Sequence, residues 1–323
     1  IVPLLGAIGC FVVMFIINST FGLTAIGLVI AMYIYLTRRK SLNTEEGDTR
    51  SGMFNALAEW SAKVVTKLPD ASERAWQPNL LVPAQLSSDV VRSYKIIYSL
   101  ARPKGSIKIL GFPPKKPTED ITAKLIEISE YFMENNISAT SAIVENVDFQ
   151  TGVLTSMQGL KASFFTPNCL FLSLTDEVDS DQDVKLFLEK ASVYGFGAYL
   201  YVPYRKVGLG LEKRINLWID LKDTDLEIGY KVEDFNIALL TAYLLKRNWD
   251  ARLNLIVESY NPQKDRDVKK FIKNMLTLAR MPKDTNVLYW EKDKIITRDA
   301  PNADLNIFSL GKRAINIKEI RAL

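Results

Sequence analysis

The 323-residue chain contains no histidine and only two cysteines. The lack of histidine excludes Ser-His-Asp and Cys-His catalysis, histidine-ligated zinc and a histidine pH switch. Cys10 lies in an apolar stretch and Cys169 lies far along the charged part of the chain, which excludes a disulfide scaffold and fits a reducing cytoplasm. No pair of titratable groups with a supporting base stands out, so we predict neither an enzyme nor a cofactor or metal site.

Charge is missing from residues 1–37, which contain no Asp, Glu, Lys or Arg, and a basic triplet follows at 38–40. An Asn-Ser-Thr turn at 18–20 divides this stretch into two segments, each reaching about 25–27 Å as a helix, close to the roughly 30 Å of a bilayer core. A signal peptide is disfavoured because its charged start and small-residue cleavage site are missing. We therefore predict a transmembrane hairpin over residues 1–40.

The basic triplet predicts the orientation of this hairpin, because Lys and Arg mark the cytoplasmic end of a transmembrane helix. Residues 41–323 are then cytoplasmic, and the protein is a multi-pass protein of the cell membrane. The chain starts with Ile1, inside an apolar segment. We expect it to be the C-terminal piece of a longer membrane protein.

A connector, residues 41–77, contains an amphipathic helical pattern that ends before Pro69. Its apolar stripe has two interpretations: packing on its own domain, or pairing with a second copy of the chain next to the membrane. Under the second interpretation the homodimer interface consists of Met53, Leu57, Trp60 and Val64.

Beyond the connector, short apolar runs alternate with amphipathic helical patterns. This alternation predicts strands covered on both faces, hence a doubly wound, mostly parallel α/β fold. The strands are expected at 79–83, 107–112, 138–144, 169–174, 198–202, 215–219, 252–257, 286–290 and 305–310. The helices are expected at 89–101, 119–134, 151–160, 183–194, 234–246 and 265–279. A cluster of Pro, Gly and basic residues near 205 divides the tail into two α/β subdomains, 78–204 and 205–323.

A basic stretch interrupted by prolines lies in the first subdomain. It is interpreted either as a solvated edge or as a contact with membrane lipids. The residues of the lipid hypothesis are Lys104, Lys108, Lys115 and Lys116. The net charge of +4 is too small and too dispersed to indicate a nucleic-acid partner.

Two further patterns are weaker. Asp179, Asp181 and Asp183 fit the first positions of a calcium loop, but the required Gly and Glu are replaced by Val184 and Lys190. The Gly-Leu-Gly at 208–210 precedes a strand and lacks the third glycine of a dinucleotide fingerprint. An open α/β sheet still offers a ligand position beyond its strand ends, which keeps nucleotide binding open.

The order of the parts resembles the C-terminal end of a cation–chloride cotransporter. The similarity spans nearly the whole chain and is carried by five short sequences. These are 4–18 (LLGAIGCFVVMFIIN), 47–57 (GDTRSGMFNAL), 76–82 (WQPNLLV), Gly159-Leu160 followed by Pro167-Asn168, and Leu239-Leu240…Tyr243-Leu244-Leu245…Trp249…Arg252-Leu253 after Trp218. Animal members carry a Trp pair where Ser19-Thr20 stand here, and the acidic turn after Trp218 lacks glycine. These differences suggest a prokaryotic member.

The resemblance implies symport of chloride with potassium, sodium or both. The inorganic ions of this family bind within earlier transmembrane helices that this sequence lacks. The segment present would serve regulation and dimerisation, with a universal-stress-protein-like tail. Two alternatives remain: a membrane-anchored sensor whose tail binds a nucleotide or similar ligand, and an amino-acid permease with an unrelated α/β tail.

Overall fold

The computed structural model describes most of the α/β tail and part of the N-terminal segment. The chain divides into two compact units, Ile1–Ser72 and Glu73–Leu323. The described residues are 6, 8–9, 12–13, 15–16, 18–40, 60, 76–114, 120–145, 147–163, 165–174, 181–203, 208–221, 236–258, 265–290, 299–309, 317 and 320.

In the first unit, helix α1 spans Ser19–Lys40. Asn18 caps it, because its carboxamide oxygen accepts a hydrogen bond from the Phe21 N–H at 3.1 Å. Within the described part of the chain, no helix combines the length and apolar character needed to cross a membrane. The predicted transmembrane hairpin is therefore not confirmed, and most of its first segment lies outside the described residues.

The second unit alternates strands and helices as expected, and the predicted bounds agree with the observed ones to within three residues. The elements are β1 (Asn79–Ala84), α2 (Ser87–Ala101), β2 (Ser106–Gly111), α3 (Ile121–Glu134), β3 (Ser138–Ile143), α4 (Phe149–Gly159), β4 (Cys169–Ser173), α5 (Asp181–Val193), β5 (Gly197–Tyr201), β6 (Arg214–Asp220), α6 (Asn236–Trp249), β7 (Arg252–Glu258), α7 (Asp265–Leu278), β8 (Asn286–Trp290) and β9 (Leu305–Phe308).

Aspartates set the starts of two of these helices. The Asp120 carboxylate accepts the Ala123 N–H at 3.2 Å and so caps α3. The Asp148 carboxylate accepts the Thr151 N–H at 2.9 Å and caps α4. Each carboxylate satisfies a backbone donor that the first helical turn leaves without a partner.

The first sheet has the strand order β3-β2-β1-β4-β5, and all of its described pairs are parallel. Neighbouring residues of β1 enter different cores. Leu80 and Val82 belong to the core that contains residues of α2 and α3, whereas Leu81 belongs to the core that contains residues of α4 and α5. Helices therefore cover both faces of this sheet, which explains its continuous apolar strands.

The second sheet has the order β8-β7-β6-β9, also with parallel pairs throughout. This order repeats that of the first four strands of the first sheet, so the two halves share one topology. The prediction of two parallel α/β subdomains is confirmed.

The two halves share one apolar core. A single cluster of buried residues contains Ile107 and Ile109 of the first sheet together with Leu217 and Leu255 of the second. Helices α2 and α6 contact each other between them. The halves of the second unit thus form one body rather than two separate domains.

Candidate functional site

A cavity lies at the carboxyl ends of β1 and β4, where the strand order of the first sheet reverses. This is the position at which open α/β sheets bind ligands. Its volume is about 80 Å³. Its lining consists of Val82, Pro83, Gln85, Asp89, Val90, Phe149, Phe171, Leu172, Ser173, Asp183, Val184 and Phe187.

The size and charge of this cavity disfavour a nucleotide. Pockets for drug-sized ligands have volumes of roughly 300–1,000 Å³, several times the volume found here. The two charged residues of the lining, Asp89 and Asp183, are carboxylates that would repel phosphate.

At the opposite, amino ends of the strands, two asparagines hold β1, β2 and β4 together. The Asn168 carboxamide accepts the Asn79 N–H at 2.8 Å and donates to the Gln77 carbonyl at 2.8 Å. The Asn79 carboxamide oxygen accepts both the N–H and the hydroxyl of Ser106, at 3.1 and 2.9 Å. These contacts fix the entry of the chain into the first sheet.

A polar junction joins the two halves where α6 ends against α2. The indole N–H of Trp249, which is 7% exposed, donates to the Ser99 hydroxyl at 2.8 Å. The same hydroxyl donates to the Lys95 carbonyl at 2.8 Å. The Asn248 carboxamide donates to the carbonyls of Ser99 and Arg102, at 2.7 and 3.1 Å. Side chains of the second half therefore hold the last turn of a helix in the first.

A second polar contact between the halves involves Cys169, Tyr199 and Thr241. The Tyr199 and Thr241 hydroxyls lie 3.0 Å apart, and Thr241 donates to the Ile237 carbonyl at 2.6 Å. Burial raises the pKa of the Cys169 thiol to about 12 and that of the Tyr199 hydroxyl well above its ordinary value. Cys169 is free and buried. At neutral pH it is a protonated core residue and not a nucleophile.

The second sheet carries a ladder of four asparagines, one at the same level of each strand. The strand register pairs Asn286 with Asn254, Asn254 with Asn216, and Asn216 with Asn306. Each carboxamide in turn donates to the next, with N···O distances of 3.3, 2.9 and 3.1 Å. The ladder crosses the whole sheet.

The centre of this asparagine ladder is fully buried. Asn216 is 0% exposed and donates a second hydrogen bond to the Pro301 carbonyl at 2.7 Å. The Trp218 indole N–H donates to the Asn306 carboxamide oxygen at 3.0 Å. The indole also stacks on the Phe308 ring, with 5.5 Å between the ring centroids. Because a slip of any strand would break these bonds, the ladder fixes the register of the sheet.

The segment that connects the halves is held by Asp304, which precedes β9. Its carboxylate accepts the backbone N–H groups of Leu211, Lys213 and Arg214 at 3.1, 2.8 and 2.9 Å. Burial alone would raise the pKa of Asp304, but these three donors and the Arg214 charge outweigh it and hold the pKa below its ordinary value of 3.8. Asp304 thus positions the start of β6.

Replacing Asp304 by Ala is expected to lower the free energy of unfolding by about 1–2 kcal/mol at neutral pH, because three N–H groups lose their acceptor in a half-exposed site. The folded pKa lies below the unfolded one, so the carboxylate contributes stability above about pH 4 that is lost as the pH falls through the folded pKa. Urea unfolding at several pH values measures this difference, which should shrink below pH 4. Glu189→Ala, at an exposed carboxylate 4.0 Å from Lys185, is the control; equal losses at both sites would contradict the argument.

Two family models match the chain in succession. The first, for the first C-terminal domain of prokaryotic cation–chloride cotransporters, matches residues 82–209, and the second, for the second such domain, matches residues 210–323. The chain belongs to this family. A crystal structure of the cytoplasmic domain of a prokaryotic cation chloride cotransporter is 31% identical, with a TM-score of 0.66, over 76% of this chain and 91% of that one.

A second solved structure is less similar to this cotransporter domain. A protein described as a universal stress protein from Pseudomonas aeruginosa UCBPP-PA14 is 12% identical over 74% of this chain and 84% of its own, with a TM-score of 0.49. No curated protein matches the chain. The family is one of membrane cotransporters with a cytoplasmic C-terminal domain, and the recognition of this family from sequence is confirmed.

The short sequences that carried the resemblance have structural roles in the cotransporter domain. Asn79 and Asn168, from two of them, hydrogen-bond to each other. Trp218 belongs to the asparagine ladder and Trp249 to the junction of the halves. The ladder itself was missed, although the sequence repeats Asn, an apolar residue and a large apolar residue in β6, β7, β8 and β9.

The residues predicted for the dimer interface are mostly outside the described chain. Met53, Leu57 and Val64 are among the residues that the structure does not describe. Trp60 is helical and 62% exposed. Its exposure leaves the indole available to a partner, and the interface stays a prediction.

Two of the four lysines predicted to contact lipid lie among the described residues, and their surroundings differ. Lys104 is exposed before β2, whereas Lys108 is half-buried in the middle of β2, between β1 and β3. Burial lowers the pKa of Lys108. Lys115 and Lys116 lie outside the described residues. Lys108 is therefore part of a sheet face rather than of a solvated edge, and the lipid contact at these lysines stays a prediction.

The acidic run and the Gly-Leu-Gly sequence also have places in the fold. Asp181 and Asp183 lie in the first turn of α5, while Asp179 is outside the described residues. In the described part of the chain, no group of three or more acidic or cysteine side chains is arranged to hold a metal. Gly208 and Gly210 adopt positive φ angles of 61° and 58° just before β6, in the segment held by Asp304.

Proposed function

We propose that this chain is the regulatory and dimerisation region of a secondary-active symporter that moves chloride together with potassium, sodium or both. The match of both halves to prokaryotic cation–chloride cotransporter domains carries this proposal. In this proposal the tail acts as one body, because the junction between Trp249 and Ser99 links its halves.

In this proposal residues 1–40 belong to the membrane part of the transporter and residues 41–323 are cytoplasmic. The described part of this segment exposes large apolar side chains that are costly in water and favourable in lipid. The exposed fractions range from 44% to 78%, at Ile8, Val12, Val13, Ile16, Phe21, Leu23, Leu28, Val29, Ile30, Met32 and Ile34. The basic residues at 38–40 favour a cytoplasmic position for residues 41–323.

Ion flux in vesicles that contain the longer protein carrying this chain tests transport. Uptake of rubidium, a tracer for potassium, is expected to require external chloride and to fall when gluconate replaces it. Dependence of that uptake on sodium would identify sodium as a second cation. Uptake that does not depend on chloride would contradict the proposal and favour the permease alternative.

The sensor alternative predicts that a ligand stabilises the tail. The cavity of about 80 Å³ and its two carboxylates do not favour a nucleotide. We expect ATP to leave the thermal unfolding temperature of the tail unchanged. A rise of several degrees would favour the sensor.

Replacing Leu57 and Trp60 by Asp is expected to weaken self-association of the membrane-extracted protein by at least about tenfold, because a buried charge at a dimer interface is strongly unfavourable. Sedimentation velocity measures the change. Replacing Asn55 and Ala62, opposite the apolar stripe of the predicted helix, by Asp is the matched control. An unchanged sedimentation profile for the Asp variant would contradict the proposed interface.

A further inference from the structure

Helix α7 has two chemically opposite faces. Val268, Phe271, Ile272 and Met275 are at most 2% exposed and lie in the core that the two sheets share. The opposite face carries a row of exposed cations at spacings of three and four residues. This cationic row consists of Arg266, Lys269, Lys270 and Lys273.

No acidic residue interrupts the cationic row. At about 100° of rotation per residue, the four cations fall within an arc of about 100°, and Asp265 and Asp267 fall outside it, on opposite flanks of the helix. The row from Arg266 to Lys273 is about 10 Å long, at about 1.5 Å per residue. Because Val268, Phe271, Ile272 and Met275 are buried, the part of α7 that carries the row offers charge and no apolar surface for insertion.

The row has a cost for the helix that carries it. Four pairs of its cations lie three or four residues apart and destabilise the helix, and they outnumber the two favourable pairs, Asp265 with Lys269 and Asp267 with Lys270. Helix α5 of the same unit shows the usual arrangement, with Lys185 and Glu189 4.0 Å apart. An anionic partner would stabilise this row, because it reduces the repulsion between the neighbouring cations.

We propose that the cationic row of α7 binds the anionic lipid headgroups of the membrane surface. The C-terminal domain of this family is attached to a membrane cotransporter, so it works close to a leaflet. This step rests on family membership and not on the ions transported. Juxtamembrane cations are attracted to an anionic leaflet within a Debye length, and a row on one straight helix presents all four charges to a flat surface.

An aromatic ring at the edge of the row supports this occupant. The Lys269 ammonium lies over the ring of Tyr289, 5.5 Å from its centroid, and Tyr289 is 41% exposed. Tyrosine rings have an apolar body and a polar tip, a combination suited to the headgroup region.

Lysine acylation of the full chain tests the proposal site by site. The chain is mixed with vesicles of phosphatidylcholine alone, or of phosphatidylcholine with phosphatidylglycerol. We expect Lys269, Lys270 and Lys273 to react at least about threefold more slowly with the anionic vesicles, and high salt to remove this protection. Lys185 and Lys190 of α5, where charges of both signs mix, are the internal controls and should react equally in both samples.

The variant Lys270→Gln/Lys273→Gln should remove the protection of Lys269, whereas Lys185→Gln/Lys190→Gln should leave it intact. Equal acylation of α7 in both kinds of vesicle would overturn the proposal. The proposal would also be overturned if the α7 lysines were protected in the absence of anionic lipid. Such protection could be caused by added inorganic phosphate, by added DNA, or by a second copy of the chain at high protein concentration. Flotation with vesicles of phosphatidylcholine alone measures attachment of the chain through residues 1–37. A failure of that attachment can therefore be distinguished from a failure of α7 to bind anionic lipid.

Discussion

The variant Asn216→Asp is expected to lower the free energy of unfolding by about 3–5 kcal/mol at neutral pH, the range measured when a buried charge lacks a partner. Asn216 is 0% exposed, and its NH₂ group donates to Pro301 and Asn306. In the variant, a carboxylate oxygen would face these two acceptors at the same positions. The side chain keeps its size, so the loss reports on hydrogen bonding and charge rather than on packing.

The pH dependence of Asn216→Asp has a definite sign. Burial would raise the pKa of the new carboxyl above the unfolded value of about 3.9. The unfolded chain then loses the proton first, so the penalty is smallest below about pH 4 and grows as the pH rises towards the folded pKa. Part of the loss remains at low pH, because a protonated carboxyl donates one hydrogen bond where the carboxamide donates two.

Asn286→Asp is the matched control, because Asn286 is exposed and forms the outer end of the same ladder. Its expected loss is below about 1 kcal/mol, as for other exposed polar positions. Urea unfolding of the Glu73–Leu323 unit, followed by circular dichroism, measures both variants. Similar losses for Asn216→Asp and Asn286→Asp would mean that burial does not set the cost.

The asparagine ladder is a feature that was not predicted from the sequence, although its four strands were. The apolar runs of β6, β7, β8 and β9 identified four strands, because short, continuous apolar segments between amphipathic helices are typical of covered strands. Asn216 and Asn254 appeared within those runs as isolated polar residues. Their meaning depends on the order β8-β7-β6-β9 and on the register, and neither is a property of any one segment.

The starts of α3 and α4 were predicted at 119 and 151, two residues from the observed Ile121 and Phe149, although the sequence carries a local signal for both. Asp120 and Asp148 precede apolar helical patterns, and each caps a helix in the structure. Capping acts over three residues, so it leaves a local signal. A contact such as that between Ser99 and Trp249, which are 150 positions apart, leaves no local signal in the sequence. Trp249 was recognised as part of a family sequence, but its partner was not.

The variant Trp249→Ala is expected to lower the free energy of unfolding by about 3–5 kcal/mol, the usual cost of truncating a buried aromatic side chain. The indole packs in the shared core and donates to Ser99, so the change affects both apolar contact and the polar junction. Because this junction joins the halves, we also expect unfolding to lose cooperativity and to divide into two transitions.

Trp249→Phe separates the two contributions. Phenylalanine keeps most of the apolar contact but removes the indole N–H, while the Ser99 hydroxyl keeps its bond to the Lys95 carbonyl. The expected loss is then about 1 kcal/mol, that of one hydrogen bond, with a single transition. A cycle with Ser99→Ala should give a coupling energy of about 0.5–1.5 kcal/mol, since the two side chains contact each other. If Trp249→Phe were as costly as Trp249→Ala, hydrogen bonding rather than packing would hold the halves together.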